Sequence, residues 1–250
     1  MDNKRMIIKV CGMRNGENIL QLERSGIADW MGMIFYPKSP RFVSEIPDYL
    51  PKNLRIFGVF VNPSIQDIRC RLLSYNLGGI QLHGQESPEF IKELRLKLSE
   101  VSTLDIFTSA FNALPDCSAS QNRIQTSSLP NKRTSLPLII KAFSISEAQD
   151  IGKTKQYEGL CDYFLFDTKC STVGGSGQQF DWNILQAYSG KTPFLLSGGI
   201  GPESLDMLKT FHHPKWLGID LNSRFETMPG IKNITQLTKF CKEFKALYHE

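Results

Sequence analysis

Short apolar runs recur along the chain, and most are followed by a segment with the three-to-four-residue spacing of an amphipathic helix. The runs fall at 6–11, 29–35, 54–61, 79–83, 136–143, 162–167, 193–197 and 216–220. Their length and β-branched or aromatic content predict strands. Helical spacing follows at 17–24, 64–73, 87–98, 202–209 and 235–247. A short helix is expected near Glu45, another after the fifth strand with Ser146 as its N-cap, and a third beginning near Asp181. Alternating strands and helices predict an α/β fold of repeated βαβ units on a parallel sheet. Eight such pairs close naturally into a single-domain (β/α)8 TIM barrel spanning 1–250, whose chemistry sits at the strand C-termini. A doubly wound open sheet is the runner-up.

One segment breaks the rhythm. Residues 118–135 are rich in Ser, Asn and Thr and too poor in apolar side chains to join a core, so they read as a mobile polar insertion before strand five. In a barrel, a connection from a helix to the next strand hangs from the face opposite the chemistry. The preceding stretch, 101–111, is more apolar and suits packing on the outside.

Several runs end in a polar residue: Cys11, His83, Asp167, Ser197 and Asp220. Along the sixth run, Tyr163, Leu165 and Asp167 share one face and Phe164 and Phe166 the other. Beyond Asp167 come Gly174, Gly175, Ser176 and Gly177, glycines that let backbone amides approach an anion. The duller reading is a flexible connection with Asp167 capping a turn. Lys9 stands two residues before Cys11, on the same strand face, where an ammonium stabilises a thiolate; the alternative is an inert buried thiol. Arg41, after Pro37-Lys38-Ser39-Pro40, has a fork that matches a carboxylate. Ser197-Gly198-Gly199 ahead of Pro202, and Asn222-Ser223 after strand eight, add amides near strands seven and eight, where barrels frequently hold phosphate.

Composition narrows the classes. At 250 residues, 41% hydrophobic and 22% charged, the chain is ordinary for a globular protein with a sizeable core. A net charge of +4 favours a phosphorylated small molecule, and the absence of a clustered basic arm argues against nucleic acid. No apolar run nears the ~20 residues of a membrane helix. The opening residues carry no secretory signal, so the cytoplasm is the expected compartment, with free thiols. The six cysteines show no Cys-x-x-Cys pair and no Cys/His ligand spacing, so no metal is expected. Oligomeric state has no signature here.

In order along the chain, these segments resemble phosphoribosylanthranilate isomerase. The match runs through Lys9-Val-Cys-Gly12, 32–43, Gly58-Val-Phe-Val-Asn62 and Gln81-Leu-His-Gly84. It continues through Phe166-Asp-Thr168, Gly174–Gly177, Phe180-Asp-Trp182, Leu196–Gly199, Gly218–Asp220 and Pro229–Lys232. The resemblance implies a cofactor-free Amadori rearrangement of N-(5'-phosphoribosyl)anthranilate in tryptophan biosynthesis. It implies Cys11 as general base, Asp167 as general acid and Arg41 on the anthranilate carboxylate. Lys9, His83, Asp220 and the glycine- and serine-bearing loops then make up the substrate-binding set. The family's last phosphate loop usually reads Ser-Ser-Gly; here it is Asn222-Ser223-Arg224, and arginine lacks glycine's freedom at positive φ. The related ribotide isomerase of histidine synthesis carries an aspartate where Cys11 stands, so the thiol argues against it.

Overall fold

The computed structural model describes residues 5–100, 136–168 and 182–248. Eight strands form a closed, all-parallel barrel in chain order: β1 (Ile7–Val10), β2 (Trp30–Ile34), β3 (Arg55–Phe60), β4 (Gly79–Leu82), β5 (Leu138–Ile145), β6 (Tyr163–Thr168), β7 (Phe194–Ser197) and β8 (Trp216–Leu221). Closure pairs Ile7 with Gly218 and Lys9 with Asp220, which rules out the open sheet. A two-stranded antiparallel ribbon, β9 (Glu226–Met228) and β10 (Ile231–Lys232), follows β8.

Strand alternation sorts the apolar side chains into two layers. Trp30, Phe57, Ile140, Ala142, Leu165 and Leu195 pack together inside the barrel. Ile8, Met31, Leu82, Phe164, Phe166 and Leu196 face outward into the larger core beneath the helices. Phe164 and Phe166 therefore lie opposite Leu165, as their parity predicts.

Local chemistry starts and stops the helices. In α1 (Gly16–Ser25), Asn15 accepts from the Asn18 amide and Gly26 closes the end in the left-handed region. A reciprocal Ser64–Asp67 capping box opens α2 (Ile65–Ser74), and Ser87 caps α3 (Pro88–Ser99) with proline in its first turn. After β5 the helix is only α4 (Ala148–Ile151), continued as a 3-10 segment, Gly152–Tyr157. Its N-cap is Glu147 rather than Ser146, because Asp150 folds back to accept from both the Ser146 and Glu147 amides. A 3-10 segment, Trp182–Ala187, follows β6, and another, Pro202–Ser204, leads into α5 (Leu205–Thr210). The chain closes on α6 (Ile234–Ala246), capped by Asn233.

No helix forms near Glu45. Pro47 and Pro51 interrupt the stretch, and each disfavours helix at the residue before it. The Val43 amide instead bonds the Ile34 carbonyl beside β2, and the Glu23 carboxylate of α1 accepts from the Lys52 and Asn53 amides. The expected insertion at 118–135, the stretch 101–111 and the loop Gly174–Gly177 lie outside the described residues. Among the described residues, Cys11, Cys161 and Cys241 are free thiols.

A buried ion pair shapes the rim after β4. Lys141 lies 3.2 Å from Glu86, with both side chains at most 3% exposed. Glu86 also accepts from the Asn62 and Gly84 amides, which sets the turn following His83. Removing one partner leaves a buried charge uncompensated, at a cost of about 3–5 kcal/mol. Because Lys141 keeps the Gly84 and Ala142 carbonyls, Glu86→Gln is expected near the low end, about 3 kcal/mol, as a urea-unfolding midpoint well below that of the parent chain. An unchanged midpoint would show that the pair contributes little.

Candidate active site

At the carboxyl end of β1, the Cys11 amide bonds the Leu221 carbonyl at 2.8 Å, so the strand conformation carries through the thiol. Lys9 and Cys11 thus share the inward face. Gly32 on β2 clears the space they need: a Cβ there would sit 2.7 Å from the Cys11 sulfur and 3.1 Å from Lys9 Nζ. Lys9 is fully buried and donates to Asp220 Oδ1 at 2.8 Å, its register partner on β8. Ser197 Oγ lies 3.4 Å from the other Asp220 oxygen. Burial alone would discharge Lys9, but Asp220 and Cys11 outweigh it and hold the ammonium above its ordinary value. Burial pushes the Cys11 thiol up, opposed by Lys9 and Lys232, with Asp220 adding to the rise.

Arg41 comes from the loop after β2, and its stem passes over Gly12. That glycine has φ +79°, and a Cβ there would meet Arg41 Cδ and Asn222 Oδ1, each at 2.7 Å. Only glycine accommodates both the angle and the approach. The guanidinium is not free: Nε and Nη2 donate to the Glu226 carboxylate at 2.6–3.0 Å. Glu226 also accepts from Lys232 Nζ at 2.6 Å and the Gly230 amide at 3.1 Å. The same ammonium donates to Asn222 Oδ1 at 2.7 Å. Burial would raise the Glu226 carboxyl, but Arg41 and Lys232 hold it below its ordinary value. Burial pulls Lys232 down despite Glu226, while the bond to Glu226 raises Arg41.

Asp167 ends the inward face of β6 and lies 3.3 Å from His83 Nε2, beyond β4. Behind His83, Gln81 Nε2 lies 3.2 Å from Nδ1. The cluster runs Gln81, His83, Asp167 along one side of the mouth. Strands β7 and β8 separate it from Cys11 around the wall.

The remaining predicted residues sort plainly. Gly198 and Gly199 adopt φ of 89° and 67° directly after β7. Asn222 and Ser223 lead the 3-10 turn Ser223–Phe225. Arg224 in that turn is absent from the residues with positive φ, so glycine's freedom is not needed there; its side chain pairs with Glu203 after β7. Lys9 and Asp220 satisfy each other beneath the mouth. Sequence reasoning assigned no role to Gln81, Glu226 or Lys232. A lysine closing an apolar dipeptide in Pro229-Gly-Ile-Lys232 was the one available signal for the last.

An eight-stranded parallel barrel with a thiol, a carboxyl and three cations gathered at its carboxyl rim has the plan of a barrel enzyme. The family model for N-(5'-phosphoribosyl)anthranilate isomerase matches residues 8–124 and 125–243. The isomerase of that name from Phocaeicola vulgatus is 46% identical over 240 residues, covering 96% of this chain and 98% of its own. The one from Parabacteroides distasonis is 41% identical, covering 95% and 93%. A crystal structure of phosphoribosyl anthranilate isomerase with reduced 1-(o-carboxyphenylamino)-1-deoxyribulose 5-phosphate superimposes with a TM-score of 0.69 at 26% identity, covering 96% and 99%. The chain belongs to the N-(5'-phosphoribosyl)anthranilate isomerase family, enzymes of tryptophan biosynthesis. No helix among the described residues is long and apolar enough to cross a membrane.

Proposed function

We propose that the chain works as one barrel unit that converts N-(5'-phosphoribosyl)anthranilate to 1-(2-carboxyphenylamino)-1-deoxyribulose 5-phosphate, with Asp167 as general acid and Cys11 as general base. Protonation of the furanose oxygen by Asp167 opens the ring as the anilino nitrogen forms a C1=N bond. Cys11 as thiolate removes the C2 proton to give the enaminol. That intermediate becomes the ketone when C1 takes up a proton and the C2 hydroxyl loses one, so the reaction is a net isomerisation. Arg41 receives the anthranilate carboxylate. Amides after β7 and β8, with the Gly174–Gly177 loop, receive the phosphate. No cofactor enters these steps. A reducing cytoplasm suits a reaction that depends on a free thiol.

The observation that carries this reading is the environment of Cys11. Lys9, held charged by Asp220, shares its face, Gly32 leaves room beside the sulfur, and Lys232 adds a second positive charge. These charges oppose the burial that raises the thiol, which is what a base drawn from a buried cysteine requires. Asp167 stands on the same rim across β7 and β8, as an acid and a base acting on one sugar require. Turnover of N-(5'-phosphoribosyl)anthranilate, followed by loss of its anthranilate-type fluorescence, tests the reading. A folded chain that leaves the signal unchanged would refute it.

A further inference from the structure

Arg41 reaches the mouth already bonded to a carboxylate of its own chain. A guanidinium presents paired N–H groups along a side edge, through Nε and one Nη, and along an end edge, through Nη1 and Nη2. Glu226 fills the side edge, accepting from Nε at 2.9 and 3.0 Å and from Nη2 at 2.6 Å. The end edge has no acceptor among the described residues. Glu226 is itself fixed: its side chain is 5% exposed, and Lys232 and the Gly230 amide hold it from the β9–β10 ribbon. Arg41's stem is confined in turn by Gly12, next to Cys11.

We propose that Glu226 is the positioning residue for carboxylate recognition, holding Arg41 by its side edge so that the end edge is left as the receptor for the aryl carboxylate of the substrate. The inference rests on the reading of Arg41 given above. The guanidinium has many rotamers in isolation, and fixing it before binding removes an ordering cost from the complex. Lys232 keeps Glu226 ionised, so the clamp stays charge-assisted. It also bonds Asn222, tying the clamp to the loop after β8.

The test compares the parent chain, Glu226→Gln and Arg41→Ala on N-(5'-phosphoribosyl)anthranilate and on the aniline analogue lacking the carboxylate. Glu226→Gln is expected to raise KM for the carboxylated substrate about tenfold, with kcat within about threefold and the analogue unaffected. Arg41→Ala should erase the preference for the carboxylate, and the double variant should be no worse than Arg41→Ala alone. If Glu226→Gln retains the parent's preference while Arg41→Ala loses it, the positioning role fails and the Arg41 reading stands. If Glu226→Gln lowers KM, Glu226 competes with substrate and the proposal is overturned. If Arg41→Ala keeps the preference, both readings fall. Should Glu226→Gln not fold, Glu226→Asp is read in the same assay; one methylene shorter, it draws the guanidinium back and should raise the same KM about threefold.

Discussion

Replacing Asp167 by asparagine is expected to lower kcat by about 10²–10⁴-fold while leaving the barrel folded. The amide is nearly isosteric, but it cannot deliver a proton to the furanose oxygen, so ring opening loses its acid. The fold has little reason to respond. Asp167 ends β6 at the mouth, half-buried, and its described side-chain partner is His83 at 3.3 Å, which the amide oxygen still meets. Steady-state kinetics beside a thermal melt separate the two effects. A variant with near-parent kcat would remove Asp167 from the mechanism, and one that melts far earlier would show a structural role.

Cys11→Ser is expected to cost a comparable factor, about 10²–10⁴-fold in kcat. A hydroxyl in place of the thiol keeps the size and loses the accessible anion, so abstraction of the C2 proton suffers while Lys9, Asp220 and Gly32 keep their places. The sign of the pH dependence follows from burial, which puts the Cys11 thiol above its ordinary value. Its thiolate fraction therefore still grows as pH rises through neutrality. In Asp167→Asn the residual kcat/KM should climb with pH as that thiolate fraction grows. A flat residual profile, or a Cys11→Ser enzyme within a few fold of the parent, would count against the base assignment.

Much of this site was legible one strand at a time. Parity put Lys9 beside Cys11 and Asp167 with Leu165 because side-chain direction along a strand depends only on the local backbone. The helix starts at Asn15, Ser64 and Ser87 are likewise local, each made by a side chain reaching an amide three residues on. Where two local signals competed, the reading failed. The short helix expected near Glu45 lost to Pro47 and Pro51, and Ser146 lost its cap position to Glu147 because the Asp150 carboxylate takes both amides.

Read alone, the chain determined the alternation of strands and helices, which strand ends carry a thiol or a carboxyl, and which side chains share a face. Only the closed barrel decided who partners whom. Asp220 lies 211 residues from Lys9 and becomes its counter-ion because β8 pairs with β1. Glu226 lies 185 residues from Arg41 and claims its guanidinium because the β9–β10 ribbon folds back over the first loops. Periodicity is written by neighbours a few positions apart, whereas the charge around a buried group is set by whatever the closing sheet brings within a few ångströms of it.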